Sequence, residues 1–511
     1  MAGKVIYYIW TFIERFGTNI ISLCGNILLS YLLLPEDFGL VATISVFTVM
    51  ISIFVDCGMT DCLLAKQNAT NRDFNTLFFF NVFVGCIICA IYCSISGWVA
   101  DFFGHPELRL LMCVFGAGAI ISCLSVAQMT KLRYNLEFKK IAIITLSTIS
   151  LSLLLAVVMA LGGLRYWALV ALNIGYSAFL VIILVFFSRW NLRWEFDVPT
   201  FKEFWKFGVN ILLSSIMVQT AQNIYTALIG KYFNPQQAGY VWQAQKLNDT
   251  PTNSLERTIT NPSFVLIAKE TDNAKRCNLI VEAFDVMTFA NTMLCMYILA
   301  LCTPIIDFVF PERWLPVIPI LRAFICVSLF VPVCNHLQYV FKIYNHTSII
   351  RNIVIFEKIG FIVVAIITYR FGIVPMILST GAFSVIALAI YLYFVQKTSG
   401  ISLRLLSSTF IRNLALGILV AAFTFLSATF IENSFMALCI GTVVFFVVLA
   451  LVCRRFKPSF YTSVKSKLTL LKARFFSSAI LVAPHSNSPT HSAPAAYPHP
   501  IQKVRNTLLR M

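Results

Sequence analysis

Residues 141–161 read IAIITLSTISLSLLLAVVMAL, a stretch of 21 positions without a charged side chain. A helix rises about 1.5 Å per residue, so about 20 apolar residues cross the roughly 30 Å hydrocarbon core of a bilayer. The stretch therefore predicts a transmembrane helix. Comparable runs recur along most of the chain, and together they decide the fold class.

Thirteen apolar runs of this kind are found when the chain is read outward from residue 141. The others lie near 16–34, 38–57, 77–100, 108–130, 165–187, 205–228, 279–309, 316–340, 349–370, 373–395, 409–430 and 434–453. The 511 residues are 59% hydrophobic and 12% charged, with a mean hydropathy of +0.82. Because soluble domains carry about a quarter charged residues, this composition excludes a soluble protein and predicts an all-α polytopic membrane protein.

The stretch 239–268 is ambiguous, because Lys246, Asp249, Glu256 and Arg257 interrupt its apolar positions. Membrane proteins concentrate Lys and Arg in their cytoplasmic loops. If the N-terminus is cytoplasmic and 239–268 crosses the membrane, most basic loops lie inside. If it does not cross, every later basic loop faces outward. We therefore predict about 14 transmembrane helices with both termini in the cytoplasm.

The formal net charge of +17 is concentrated at the C-terminus, where ten Lys and Arg follow Glu432 without an acidic residue. This distribution favours membrane topology over nucleic-acid binding. Residues 456–511 are predicted to form a basic, partly disordered cytoplasmic tail. The 15 cysteines lie mostly within apolar runs, as do Cys86 and Cys89, so packing explains them better than a metal site.

A short internal repeat predicts the arrangement of the helices. Phe16-Gly17-Thr18-Asn19-Ile20 recurs at residues 207–211, and Pro35 and Gly39 correspond to Pro235 and Gly239. We therefore predict two parallel-related six-helix lobes, residues 1–200 and 201–400, followed by two additional transmembrane helices in 401–455. Parallel repeats that enclose a central site are typical of transporters.

Two polar stripes are the candidate functional features. Residues three or four positions apart share one face of a helix, and lipid cannot satisfy polar side chains, so such a face must meet protein or water. The first stripe is Arg15, Asn19, Ser22, Asn26 and Ser30, and the second is Lys246, Asp249, Asn253, Arg257 and Thr260.

These stripes predict a cavity whose cations attract an anionic group such as a diphosphate. The candidate substrate-binding residues are Arg15, Asn19, Asn26, Lys246, Asn253 and Arg257. In an alternative interpretation the charged groups only tie helices together, with Lys246 paired to Asp249 and Glu256 paired to Arg257.

Acidic residues within the spans are candidates for ion coupling. Asp56, Asp249 and Glu256 could bind H+ or Na+, and Asp56 and Glu256 occupy equivalent repeat positions. No other cofactor and no metal is predicted. Asp285 is expected in the first turns of the ninth span, where the helix dipole stabilises a carboxylate. His336 is expected to be structural. Because no phosphate-binding loop or other catalytic motif is present in the sequence, an enzyme is not predicted.

Several short blocks resemble Wzx-type polysaccharide exporters of the colanic-acid kind over roughly residues 10–400. The most specific is Leu34-Pro35-Glu36-Asp37-Phe38-Gly39-Leu40-Val41-Ala42, and the others are Asp56-Cys57-Gly58-Met59, Tyr166-Trp167-Ala168-Leu169-Val170, Ser188-Arg189-Trp190, Leu228-Ile229-Gly230 and Glu312-Arg313-Trp314-Leu315-Pro316. This family is part of the superfamily that includes MATE antiporters and MurJ-type lipid II flippases.

The resemblance implies a flippase that moves isoprenoid-diphosphate-linked oligosaccharide across the bacterial inner membrane by alternating access. Its role would be the synthesis of surface polysaccharide such as O-antigen, lipopolysaccharide or exopolysaccharide. The implied partners are this lipid-linked substrate, membrane lipids, and polysaccharide polymerase or assembly proteins. The family's cationic cavity residues could be matched here by Arg15, Lys246 and Arg257.

Two alternative functions remain open at this point. A MATE-like cation-coupled antiporter of small molecules would need a cavity in which acidic side chains outnumber basic ones. A membrane polysaccharide polymerase or ligase would need catalytic groups on the outer face, where the predicted loops are short.

Overall fold

The chain is mainly helical where its structure is described. The computed structural model describes residues 2–56, 59–66, 69–188, 193–202, 205, 228–344 and 346–456, and no β-strand occurs in these ranges. Residues 1–460 form one compact unit. The predicted cytoplasmic tail falls outside the described residues, apart from Phe456, which ends the last helix.

Apart from the helical residues 198–202 and 228–232, sixteen α-helices have both ends within these ranges and are numbered here in chain order. They are α1 (Ala2–Leu32), α2 (Pro35–Asp56), α3 (Met59–Ala65), α4 (Asn71–Phe103), α5 (Glu107–Tyr134), α6 (Phe138–Leu161), α7 (Tyr166–Ser188), α8 (Pro235–Lys269), α9 (Asn273–Ala300), α10 (Cys302–Val309), α11 (Val317–Ser328), α12 (Val331–Ile343), α13 (Thr347–Thr368), α14 (Ile373–Ser399), α15 (Leu403–Thr429) and α16 (Ser434–Phe456).

The predicted all-α membrane fold is confirmed. In the described ranges, nine stretches are long and apolar enough to cross a bilayer, namely α4, α5, α6, α7, α9, the pair α11 and α12, α14, α15 and α16. Four further long helices, α1, α2, α8 and α13, cover other predicted spans. The span near 205–228 lies mostly outside the described residues, so the total of 14 stays a prediction. The chain is a multi-pass membrane protein.

Two of the predicted spans are each built from two helices. The run 279–309 divides at Leu301 into α9 and α10, and the run 316–340 divides after Ser328 into α11 and α12. Pro304 and Pro332 lie in the first turns of α10 and α12. A proline lacks the N–H that an interior helical position would use, but the first turn does not need that donor. These prolines therefore begin helices instead of bending them.

The helices pack in two groups that meet through α2 and α8. In the first group α4 packs on α5, α6 on α7, and α1 on α6; in the second group α8 packs on α11, α9 on α15, and α14 on α11. The broad contact of α2 with α8 joins the groups. This pattern is compatible with the predicted lobes, whose boundaries at residues 200, 400 and 455 remain predictions.

The contact between α2 and α8 depends on two glycines. A Cβ atom on Gly39 would lie 1.7 Å from the carbonyl oxygen of Pro235, and a Cβ on Gly239 would lie 1.9 Å from that of Pro35. The two contacts are reciprocal, as expected for helices that begin in equivalent positions of a repeat. No side chain larger than hydrogen fits at either site. We call this contact the glycine crossing.

Aromatic and polar contacts close the same end of the molecule. Phe38 is buried, with ring centroids 5.5 Å from Trp242 and 5.2 Å from Trp314. The Trp314 indole N–H donates to the carbonyl of Ser30 at 3.0 Å, which anchors the segment before α11 to the end of α1. These contacts bring the two helix groups together beside the glycine crossing.

Candidate functional site

A cavity of about 940 Å³ lies between the two predicted polar stripes and extends along α8 from Trp242, near the glycine crossing, to Asn261. It lies between the first half of α1 and the middle of α8, with Ser45 of α2 and Thr145 of α6 on its wall. We call it the charged cavity. Five of the predicted substrate-binding residues and one predicted coupling residue line it, namely Arg15, Asn19, Lys246, Asn253, Arg257 and Asp249.

Positive charge exceeds negative charge on the wall of this cavity. Arg15, Lys246 and Arg257 are its cations, and Glu14 and Asp249 are its carboxylates. All three cations belong to exposed residues, so the protein itself does not enclose them. Because the cavity replaces part of the surrounding water with protein, charges there interact more strongly than on an open surface.

The alternative in which Lys246 pairs with Asp249 and Arg257 with Glu256 stays open, because each carboxylate interacts electrostatically with its neighbouring cation on α8. Among the described residues, no carboxylate lies within 4.0 Å of the charged nitrogens of Arg15, Lys246 or Arg257. The ammonium of Lys246 instead lies 6.0 Å from the Trp242 ring centroid. Asp249 accepts a hydrogen bond from the Asn248 amide at 2.9 Å. In this part of the chain, the three cations therefore have carboxylate neighbours but no close ion pair.

The sixth predicted binding residue, Asn26, lines a second and smaller space. This space has a volume of about 250 Å³ and lies between α1, α2, α6, α7 and α8. We call it the small pocket. Trp242 and Lys246 line both spaces, so the small pocket adjoins the charged cavity. The first stripe thus passes from the charged cavity at Arg15 to the small pocket at Asn26, and ends at the buried Ser30.

The other residues singled out from the sequence lie apart from the charged cavity. Glu256 accepts a hydrogen bond from the Asn335 amide of α12 at 3.2 Å. Thr260, the last member of the second stripe, is buried and hydrogen-bonded to Nδ1 of His336 at 2.9 Å. This bond confirms His336 as structural. The side chain of Asp56 lies outside the described residues, so the predicted equivalence of Asp56 and Glu256 stays a prediction.

Sequence patterns did not predict several residues of the two spaces. Glu14 and Trp242 lie one position before Arg15 and four before Lys246, so their helical spacing could have placed them near the stripes. Asn173 and Tyr176 on α7 line the small pocket. Only the packing of α7 on α2 and on α6, which in turn packs on α1, brings them there, and no local sequence pattern indicates that packing.

The prediction that the dipole at the start of a helix stabilises the Asp285 carboxylate is wrong. Helix α9 begins at Asn273, so Asp285 lies well beyond the first turns, where the helix dipole no longer acts. Its carboxylate instead accepts hydrogen bonds from Arg412 at 2.6 Å and from Asn413 at 2.9 Å. Asp285 is therefore a buried anchor for α15.

Two curated proteins illustrate what the sequence is similar to. The chain is 24% identical to the teichuronic acid biosynthesis protein TuaB of Bacillus subtilis, over 63% of this chain and 67% of that protein. It is 22% identical to the lipopolysaccharide biosynthesis protein WzxC of Escherichia coli, over 59% of this chain and 62% of that protein. The matched stretch thus spans about two thirds of the length of these relatives.

The fold is that of a solved lipid flippase. The lipid II flippase MurJ in an inward closed conformation superposes with a TM-score of 0.71 at 15% identity, over 88% of this chain and 99% of that one. The sequence profile described as "Polysaccharide biosynthesis protein" matches residues 28–319, which is more than half of the chain. The chain therefore belongs to the polysaccharide biosynthesis protein family.

Proposed function

We propose that this protein translocates isoprenoid-diphosphate-linked oligosaccharide from the inner to the outer leaflet of a bacterial inner membrane, for the synthesis of surface polysaccharide. Family membership supports a role in polysaccharide biosynthesis. The names of TuaB and WzxC refer to teichuronic acid and lipopolysaccharide, which are both surface polymers. The transported lipid, its direction and the partners of this chain are our proposal.

The observation that carries the proposal is the excess of positive charge in a cavity between helices. Holding Arg15, Lys246 and Arg257 inside a membrane protein is costly, and such residues commonly mark a substrate path. A diphosphate supplies the missing negative charge, and Arg and Lys bind it through charge-assisted hydrogen bonds. The volume of about 940 Å³ is at the upper end of the usual range for ligand pockets, roughly 300 to 1,000 Å³, and suits a bulky headgroup.

The two ends of the molecule are compatible with alternating access. We infer that the charged cavity is reached beside the first half of α1, which lines it, whereas Phe38 and the glycine crossing close the end where α2 and α8 begin. We place the accessible end at the cytoplasm, because that orientation puts most basic loops inside. Transport then requires the glycine crossing to separate while the charged cavity closes. Asp249, which lines this cavity, is the better placed of the predicted coupling residues for binding H+ or Na+.

The charge of the cavity also favours an anionic substrate over the organic cations of a MATE-like antiporter. A MATE-like antiporter of organic cations would need acidic side chains to dominate, whereas three cations here outnumber two carboxylates. We therefore prefer an anionic substrate. A transporter needs no catalytic group, and we propose that polysaccharide polymerases or assembly proteins act on the substrate after it has crossed.

Removing two cavity cations tests the proposal. Lys246→Ala combined with Arg257→Ala is expected to reduce surface polysaccharide at least tenfold in cells that depend on this protein, because each lost charge-assisted hydrogen bond weakens binding by about 1.5–3 kcal/mol. The matched control is Lys397→Ala with Arg404→Ala, which removes one Lys and one Arg that are exposed and do not line the charged cavity.

Both double variants are expected to reach the membrane at the level of the unaltered protein, as measured by immunoblotting of membrane fractions. Normal polysaccharide output from the Lys246 and Arg257 variant at normal abundance would refute the cavity assignment. Equal losses in both variants would show that total charge matters and the cavity does not.

A further inference from the structure

We propose that the small pocket is a subsite for a single sugar, namely the one attached to the diphosphate, and that α6 and α7 select its identity. The inference rests on the proposed function and assigns to Ser152, Asn173 and Tyr176 a role that the polar stripes alone do not indicate. In this account the charged cavity binds the diphosphate of the lipid-linked substrate, and the adjoining small pocket binds its first sugar.

The position of the small pocket fits this role. Lys246 and Trp242 line both spaces, so a diphosphate bound by Lys246 lies directly at the mouth of the small pocket. Phe38 and the end of α1 close the far side. The sugar that is linked to the diphosphate is the part of the substrate that can reach this dead end, while later sugars remain in the larger cavity.

The chemistry of the wall also fits a sugar. The side-chain amide nitrogen of Asn26 is buried, its residue is only 8% exposed, and it has no hydrogen-bond partner among the described residues. A buried donor without a partner is costly, and a sugar hydroxyl would satisfy it. The polar side chains of the small pocket are Ser22, Asn26, Ser152, Asn173 and Tyr176.

Asn173 adds an acceptor on the opposite wall. Its amide nitrogen donates to the carbonyl of Leu169 at 2.9 Å, and this bond fixes the side chain while its carbonyl oxygen keeps its full capacity as an acceptor. Trp242 supplies an aromatic surface for the apolar C–H groups of a sugar ring. Small-molecule sites commonly combine a few fixed polar groups with an apolar surface in this way.

The size of the small pocket limits its occupant. Its volume of about 250 Å³ is below the range of roughly 300 to 1,000 Å³ that is usual for drug-sized ligands. It therefore suits one sugar ring and excludes a chain of sugars. A site built to hydrogen-bond a hydroxyl discriminates strongly against an analogue that lacks it, so these few side chains are sufficient to distinguish sugars.

The test compares ligands with and without a sugar. Purified full-length protein in lipid nanodiscs is titrated with geranyl diphosphate and with geranyl-diphosphate-linked monosaccharides: a hexose, an N-acetylhexosamine, a deoxyhexose and a uronic acid. At least one of them is expected to bind about tenfold more tightly than geranyl diphosphate, which is the gain from one or two additional hydrogen bonds. We call the affinity for the best sugar-linked ligand divided by the affinity for geranyl diphosphate the sugar ratio. Asn173→Leu is expected to reduce this ratio to below threefold.

Two further variants keep the test decisive. Ser22→Leu narrows the small pocket from α1, so it should also lower the ratio if Asn173→Leu does not yield folded protein. Asn261→Leu is the matched control, because Asn261 lines only the charged cavity, and its ratio should stay near that of the unaltered protein.

The outcomes separate the two proposals. If geranyl diphosphate binds and Lys246→Ala weakens it, but no sugar improves binding or the ratio is unaffected by Asn173→Leu and Ser22→Leu, the sugar subsite is refuted and the proposed function stands. If geranyl diphosphate does not bind, or binds equally well to the Lys246→Ala variant, the proposed function fails and the subsite fails with it.

Discussion

At the scale of single residues, helical spacing placed several charged and polar side chains on a common helix face, but it did not indicate the residues that other helices contribute beside them. Arg15 and Asn19 face Lys246, Asn253 and Arg257 as the two stripes predict, because positions three or four apart share a helix face. Spacing could not reveal that Thr260 turns to His336, nor that α7 contributes to the small pocket. Those placements depend on contacts between helices far apart in sequence.

Asp249 offers a prediction with a definite sign. Asp249→Asn removes one of two carboxylates from the charged cavity, so an anion there should bind about three- to tenfold more tightly to full-length protein, as measured by titration with geranyl diphosphate. If Asp249 also couples transport to an ion, surface polysaccharide falls in the same variant. Glu107→Gln is the control, because Glu107 is exposed and does not line the charged cavity. Unchanged or weaker binding to Asp249→Asn would contradict the electrostatic account.

At the scale of helices, the apolar runs predicted where most helices lie, because about 20 apolar residues have few other stable arrangements in a bilayer. The runs did not reveal the breaks at Leu301 and after Ser328, since a short interruption leaves the hydropathy unchanged. The ambiguous stretch 239–268 forms the continuous helix α8, although Pro251 and Pro262 lie inside it. Its charged residues Lys246, Asp249 and Arg257 line the charged cavity, an arrangement that hydropathy alone does not show.

The glycine crossing predicts an effect of a single methyl group. Gly39→Ala or Gly239→Ala places a Cβ against a backbone carbonyl, so α2 and α8 must separate, and overpacking of this kind costs about 1–3 kcal/mol. Gly97→Ala in α4 is the matched control, because nothing lies within 4 Å of its added methyl group. Melting temperatures in detergent should fall for the first two variants and be unchanged or higher for the control. Equal melting temperatures would show that the crossing is not a close contact in solution.

At the scale of the whole molecule, orientation follows from the distribution of Lys and Arg. A reporter fused after Gly400 is expected in the cytoplasm, and the same reporter after Gly372 is expected outside, because these glycines flank opposite ends of α14. Green fluorescent protein, which fluoresces only in the cytoplasm, and alkaline phosphatase, which is active only outside, measure the two positions. The reverse pattern would place the charged cavity at the outer face and contradict the proposed direction of transport.

The leaflet location of lipid-linked oligosaccharide tests the central claim most directly. In cells that lack this protein, complete isoprenoid-linked repeat units are expected to accumulate on the cytoplasmic face, with loss of surface polymer. Their accessibility to a sugar-specific enzyme added to right-side-out and inverted membrane vesicles measures that location. Accumulation only in the inner leaflet, reversed when the protein is restored, is the predicted result. Repeat units stranded in the outer leaflet, or lipid-linked pools that do not change, would contradict the proposal that this protein is the flippase.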